Sequence, residues 1–367
     1  MIDQKPATKV TPRLSWDIGT AYDLFDSLEV LHNPEHYGLR ASWAAGVRSR
    51  LPGAERKLLE EMQSFLWVPL QWIYNLPAPK DAATALWTLR QTPPAERLIA
   101  LCSQYEIADL AGTFKAVAER HSWDKNDVEA IKLAYAQHDK GGHEATRFFK
   151  SLPKYLDWWA RPEEFGEIYL SALQSFYQVF FAEEEKRLLP YLRHALERAQ
   201  ELSERLALPD LLLELSQGVR FDEEFDVPEI VLAPAFWSTP LILYGKMSPD
   251  CMLFLFGARP ADASLYPGEV IPDAMLRTLK ALADPTRLQI LRYLSEEMLT
   301  PAQLSRRLRL RAPTVIHHLD TLRLAGLVSL SLDSEHNKRY AARLDTIPRA
   351  ITNLGEFLQT EDVKEIV

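Results

Sequence analysis

The strongest constraint on this chain lies in its C-terminal region, where successive local signals agree on one short-range architecture. Met275, Leu279 and Leu282, then Leu288, Leu291 and Leu294, place apolar stripes on two helices separated by Asp284-Pro285-Thr286. Thr300 followed by Pro301 reads as an N-cap with proline at the first helical position, which predicts a short helix over 301–308. Arg309-Leu310-Arg311 then forms a three-residue turn into a further helix, about 312–324. Gly326 stops that helix, because a residue just past a helix often needs the left-handed conformation. Residues 327–332 and 338–344, around the polar stretch 333–337, predict a β-hairpin with alternating apolar positions.

Helix, short turn, helix and hairpin is the order of a winged helix-turn-helix. Charge agrees with it. Between residues 306 and 343 eight basic residues (306, 307, 309, 311, 323, 338, 339, 343) face three acidic ones (320, 333, 335). This segment is therefore +5 and the rest of the chain −14, for a total of −9. An acidic chain with one basic module localises its phosphate-binding surface, and is neither a nucleic-acid coat nor a basic membrane binder.

At 100° per residue, Val315, Leu319 and Leu322 share one face of the second helix and belong to the core. His317 and Thr321 lie opposite, with Asp320. Pro313 and Thr314 sit at the N-terminal end, where such a helix enters the major groove. Thr314 and His317 are therefore expected at bases or sugars, Arg311 at a phosphate or guanine, and Lys338 and Arg339 on the wing. Ile316 flanks the exposed face and suits a thymine methyl. His318 borders the core stripe, so a partly buried histidine and a phosphate contact are both open. Arg306 and Arg307 are either backbone contacts or solvated.

Residues 279–288, Leu-Lys-Ala-Leu-Ala-Asp-Pro-Thr-Arg-Leu, followed by Ile290-Leu291, closely resemble the opening of ArsR-type transcriptional regulators. Pro313-Thr314-Val315, His318-Leu319, Leu322 and Ala325-Gly326-Leu327-Val328 resemble that family's recognition helix and the start of its wing. The likeness covers roughly 270–350. It implies a winged-helix fold, a homodimer with two-fold symmetry and a repressor bound to double-stranded operator DNA. In the resembling family the helices flanking the motif form the dimer. Here their apolar stripes are Met275, Leu279 and Leu282, and Ile347, Ile351, Leu354 and Leu358. Metal-sensing members carry a Glu-Leu-Cys-Val-Cys-like motif before the turn. The aligned residues here are Met298-Leu299-Thr300-Pro301-Ala302, without either thiolate, and the last helix, 347–358, has no histidine. Soft metals need thiolate or imidazole ligands, so a non-metal signal and no cofactor are expected.

The remainder expects a mainly α protein of three parts: a helical sensor or interaction domain over 1–218, a small antiparallel β-meander over 219–264, and the winged helix over 270–367. Tyr22, Phe25, Leu28 and Leu31 begin the helical periodicity, with Asp17 as a candidate cap. The runs 230–233, 241–244 and 251–256 are β-prone and apolar on both faces, so helices should cover them. Residues 1–14 lack an apolar secretory core, and the apolar stretch 230–244 is too short and proline-broken to span a bilayer. A cytoplasmic protein with reduced Cys102 and Cys251 is expected. Gly-x-Ser-x-Gly, phosphate-loop, Gly-x-Gly-x-x-Gly and His-Glu-x-x-His patterns are all missing, which argues for a non-enzyme. An enzyme fused to a DNA-binding module and a protein-docking adaptor are the alternatives. His138-Asp139 and His143-Glu144 flank Gly141-Gly142 and read as a polar loop rather than a metal site. Trp67, Trp72, Tyr74, Trp158, Trp159, Phe236 and Trp237 mostly fill core; a minority lining a pocket would suit a small apolar or aromatic effector.

Overall fold

The computed structural model describes residues 12–62, 65–66, 68–102, 108–138, 143–221, 227–260, 263–265, 272–332 and 338–359. After β1 (Arg13–Trp16) come α1 (Thr20–His32), α2 (Ala41–Arg48), α3 (Gly53–Met62), α4 (Leu70–Tyr74), α5 (Ala82–Gln91) and α6 (Pro94–Leu101). Next are α7 (Ala108–Arg120), α8 (Lys125–His138), α9 (His143–Trp159) and α10 (Pro162–Phe176). A π-helical turn (Tyr177–Phe181) joins α10 to α11 (Ala182–Ser203), and α12 (Leu208–Leu215) follows. Then come β2 (Val219–Phe221), β3 (Glu229–Ala235), β4 (Leu243–Ser248) and β5 (Cys251–Gly257). The C-terminal part contains α13 (Asp273–Leu282), α14 (Pro285–Glu296), α15 (Pro301–Leu308), α16 (Ala312–Leu324), β6 (Val328–Leu332), β7 (Lys338–Ala342) and α17 (Thr346–Gln359). The protein is mainly helical, as its periodicity predicts.

Helix α1 is the axis of the large core. Tyr22, Leu24, Leu28 and Leu31 are buried on it, and so are the carboxylates of Asp23 and Asp26. One oxygen of each acid is held by backbone N–H groups, while Asp23 Oδ2 and Asp26 Oδ1 are buried without a partner among the described residues. Asp23 Oδ1 accepts the backbone N–H groups of Phe236 (2.8 Å) and Trp237 (3.0 Å), and Asp26 Oδ2 accepts that of Ser238 (2.7 Å). The two acids thus hold the segment leaving the C-terminal end of β3. Burial pushes the Asp23 carboxyl up to about 7, against the lowering effect of the two N–H groups, and raises Asp26 as well. Asp17 does not cap α1. Gly19 occupies the N-cap position, while Asp17 Oδ2 accepts Tyr22 Oη (2.7 Å) and Lys80 Nζ (2.5 Å).

The sheet differs from the expected antiparallel meander. Its order is β1-β3-β5-β4, with β1 parallel to β3, β3 parallel to β5, and only β4 antiparallel to β5. The reason lies in the double-sided burial of β3 and β5. Val231, Ala233 and Ala235, with Cys251, Leu253 and Leu255, face the α1 core. Ile230 and Leu232, with Met252, Phe254 and Phe256, face a second cluster built with Ala199, Leu211 and Leu212. Strands buried on both faces suit a parallel sheet between two helical layers. A start for this sheet at residue 219 also does not match the pairing. Strand β2 lies parallel to β6 in a separate sheet of order β2-β6-β7.

Among the described residues, no helix is long and apolar enough to cross a membrane. Residues 139–142, and the side chains of His138, His143 and Glu144, lie outside what the structure describes, as does the hairpin tip 333–337.

Candidate nucleic-acid interface

The C-terminal core is a local construction. Ile290, Leu291 and Leu294 of α14, Leu304 of α15, Val315, Leu319 and Leu322 of α16, and Val328 and Tyr340 of the hairpin are buried together. Leu299 and Tyr340 exchange backbone hydrogen bonds (3.0 and 2.9 Å), which ties the segment before α15 to the hairpin. The start of α14 follows directly from its residues. Asp284 is its N-cap, accepting the Arg287 N–H at 2.9 Å, and Pro285 follows. Arg287 reaches back to the carbonyls of Ala281 and Lys280, both at 2.9 Å, and so caps the end of α13.

Helix α15 opens on a reciprocal capping box. Gln303 N–H donates to Thr300 Oγ1 (3.3 Å), and Thr300 N–H donates to Gln303 Oε1 (2.8 Å). Such a cap contributes about 1 kcal/mol. The turn after α15 is closed by Arg309 in the left-handed region (φ 55°), where the chain leaves the helix. Arg311 is the N-cap of α16, without a side-chain cap hydrogen bond, and Pro313 lies in the first turn. The first turn of α16 therefore presents its N-terminal end, with the partial positive charge of the helix dipole, to the outside. Schellman-type bonds close the other end, from Gly326 N–H to Arg323 (2.9 Å) and from Leu327 N–H to Leu322 (3.0 Å), with Gly326 at φ +69°.

Seven of the eight residues expected at DNA share this exposed surface. Arg311, Pro313, Thr314 and His317 are exposed on α16 or at its start, and Ile316 is 44% exposed beside them. Lys338 and Arg339 are exposed at the start of β7, opposite Leu332 and Ser331 of β6. His318 is the exception. It is half-buried over the start of α14, where burial lowers its pKa, Asp284 raises it, and Arg287 and His317 lower it. Its Nδ1 is buried without a hydrogen-bond partner among the described residues. Thr321 is half-buried, and its hydroxyl donates to the His317 carbonyl (2.9 Å).

The charge tally needs correcting too. Arg323 turns inward, and the half-buried Arg343 binds the same carbonyl of Gln217. Arg323, 6% exposed, donates from Nη2 to Ser216 O (2.8 Å) and from Nη1 to Gln217 O (3.3 Å). Arg343 Nη1 also donates to Gln217 O, at 2.7 Å. These carbonyls belong to Ser216, the C-cap of α12, and to Gln217 just past it, where Gln217 (φ 53°) and Gly218 (φ 106°) turn the chain out of the helix. A Cβ on Gly218 would come within 3.1 Å of Arg343 Cδ. Burial lowers the Arg323 pKa to about 10, helped by Arg343, so it stays charged at neutral pH. Two cations against a helix C-terminus oppose its partial negative charge. Arg307 is also engaged, pairing with Glu297 at 2.7 Å. No sequence signal distinguishes these arginines from phosphate-binding ones; only the Gly218 helix stop marks where their partner lies.

A second contact reaches the same module. Arg277 of α13 donates to the Tyr37 carbonyl (3.4 Å), and Gly38, at φ +70°, lies against the Arg277 chain. Burial raises the pKa of Asp320 on α16, while His36, Lys338 and His317 lower it.

An exposed helix set by a capped helix and a tight turn, with a basic hairpin beside it, defines a winged helix-turn-helix DNA-binding module. A family model described as "Bacterial regulatory protein, arsR family" matches residues 284–329. The HTH-type transcriptional regulator CmtR of Mycobacterium bovis is 38% identical over 91 residues, which are 25% of this chain and 74% of that protein. The regulator of the same name in Mycobacterium tuberculosis matches to the same extent. No solved structure matches. The chain belongs to the arsR family through its C-terminal region, and is a DNA-binding transcriptional regulator.

Proposed function

We propose that the chain is a homodimeric repressor that binds a two-fold operator and releases it in response to a non-metal signal received by its helical N-terminal region. The observation that carries this reading is the pair Arg323 and Arg343 on the end of α12. Arg323 stands in the last turn of α16 and Arg343 just past β7, so a shift of α12 acts on the recognition helix and the wing together. Strand β2 adds to this coupling by lengthening the wing sheet. In this reading Arg311, Pro313, Thr314, Ile316 and His317 approach the major groove and Lys338 and Arg339 the neighbouring backbone. His318 acts by positioning α16 on α14. The protein works in the cytoplasm and carries out no catalysis.

The second copy is expected on α13 and α17, which pack together at the edge of the module. Ile351 is 63% and Leu358 71% exposed on α17, more apolar surface than a lone domain needs there. For the signal, Thr300 and Ala302 stand where metal-sensing relatives place thiolates, and the Thr300 hydroxyl is committed to its capping box. Sequencing the DNA fragments that the purified protein enriches identifies the operator, and fluorescence anisotropy on that fragment then tests the reading. Tight binding that falls steeply with salt and ignores micromolar zinc or arsenite is expected. Binding of random and enriched fragments with equal affinity, or release by either metal, overturns it.

A further inference from the structure

We propose that the groove between α5 and the junction of α10 with the π-helical turn is a binding site for a small planar aromatic carboxylate. The proposal rests on the sensing reading above and gives it a place and a chemistry. One wall is a single stripe of α5: Ala83, Leu86, Trp87 and Arg90. The other wall is Gln174 of α10 with Tyr177 and Gln178 of the turn. The space is about 250 Å3. That lies just under the range of about 300–1,000 Å3 usual for small-molecule sites, so a ligand of one or two fused rings fits.

The side chains select the class. Trp87 holds its indole 59% exposed at the rim, a large apolar surface that the protein itself does not cover. Trp87 and Tyr177 place two aromatic side chains in the lining, which suits a flat ring. Arg90 is exposed at the mouth of the groove and forms no ion pair among the described residues, so its guanidinium is open to a ligand. An unpaired guanidinium beside stacking rings suits a planar carboxylate, which it can hold through two parallel hydrogen bonds. A metal ion would find no carboxylate, thiolate or imidazole in this lining, and a phosphate would find a single cation. The two carboxamides remain for polar ring substituents.

The groove is also wired to the DNA-binding module. Tyr177 Oη donates to Glu185 Oε2 (3.1 Å). Glu185 Oε1 accepts the Ala82 N–H at the start of α5 (3.1 Å) and Thr20 Oγ1 of α1 (2.5 Å). Both walls therefore converge on one residue in the first turn of α11. The far end of α11 leads into α12, and Arg323 and Arg343 hold the carbonyls of Ser216 and Gln217 at its C-terminal cap. The π-helical turn widens the backbone where the groove meets α11, a feature frequent at functional sites.

The test is calorimetric titration of the full-length protein with 1-naphthoate, with 1-naphthamide as the neutral control. Saturable binding of naphthoate is expected, weakened about tenfold or more in Arg90→Gln by loss of a charge-assisted pair. Trp87→Ala weakens both compounds, while naphthamide binds wild type and Arg90→Gln alike. Both substitutions lie on an exposed helix face, and circular dichroism checks that the fold is kept. Absence of naphthoate binding, or equal binding by wild type and both variants, overturns the site. Operator anisotropy on the same samples separates the two readings. A complex that forms and ignores bound naphthoate refutes sensing through this groove, whereas failure to bind any enriched fragment refutes the regulator reading itself.

Discussion

Replacing Arg323 with methionine should loosen α12 and β2 from the winged helix while leaving the helix-turn-helix itself folded. Methionine keeps much of the length and apolar bulk of the arginine stem but donates nothing. Of the two carbonyls involved, Gln217 O retains Arg343 Nη1 at 2.7 Å, whereas Ser216 O loses its 2.8 Å donor. Ser216 is 3% exposed, so water does not replace that donor. A charge-assisted hydrogen bond of this kind contributes about 1.5–3 kcal/mol. Relief of the buried charge works the other way, as the lowering of the Arg323 pKa to about 10 indicates. The orphaned carbonyl decides the sign, and a net loss of about 1–2 kcal/mol is expected at this contact. That corresponds to about 5–30-fold more frequent local opening. Hydrogen exchange measured on peptides covering 216–221 and 328–332 should accelerate by this factor. The amides of Leu299 and Tyr340, paired within the module, serve as the internal control and should not change. Equal protection of 216–221 in wild type and Arg323→Met would refute the clamp, and acceleration everywhere would show that Arg323 supports the whole domain instead.

Three further outcomes can be measured directly. His317→Ala should relax sequence preference by about 1–3 kcal/mol at one position if the imidazole reads a base, while Arg339→Ala should weaken binding to all sequences and reduce the salt slope by about 1; competition and salt titrations by anisotropy distinguish the two. The buried Asp23 carboxyl, raised from 3.8 to about 7, binds its proton more tightly in the folded than in the unfolded chain, so its contribution to stability is full below pH 3.8 and is lost as pH rises to about 7. The span is about 4 kcal/mol, and Asp23→Asn, whose amide oxygen can still accept from Phe236 and Trp237, should flatten the fall in melting temperature between pH 5 and 8; an unchanged profile counts against this. Light scattering should give a mass near twice 42.0 kDa, and the double variant Ile351→Asp, Leu358→Asp should bring it to 42.0 kDa without unfolding; a wild-type monomer even with operator present would sink the dimer.

The parts legible in the sequence are those set by neighbours along the chain. Thr300-Pro301, the stripe Val315, Leu319 and Leu322, and the stop at Gly326 each follow from local rules, and each lies where those rules put it. The sheet was not legible in the same way. Strand β1 joins β3 across more than two hundred intervening residues, and neither strand carries a mark of the pairing. Strand β2 is three residues long, too short for any periodicity, and its partner β6 lies beyond the whole of the first sheet. Two buried acids on α1 were equally hidden, because charge on a helix normally predicts solvent; their partners are backbone N–H groups far along the chain.

The same blindness explains the charge count, and correcting it changes the physical picture of the module. A basic residue on a winged helix is by default a phosphate ligand, yet Arg323 and Arg343 bind the Ser216 and Gln217 carbonyls at the C-terminal cap of α12, and Arg307 pairs with Glu297. Arg306, Arg309, Arg311, Lys338 and Arg339 remain as the exposed cations, gathered around the start of α16 and the wing. The electrostatic footprint is therefore smaller and more localised than the sequence suggests. Each arginine engaged in this way forgoes a counterion-release contribution to nonspecific affinity. In exchange, the recognition helix and the wing are anchored to the region that carries the aromatic groove. In the mode of action proposed above, a modest phosphate grip joined to a shared anchor favours release: less free energy is needed to detach, and one displaced helix end would act on both reading elements.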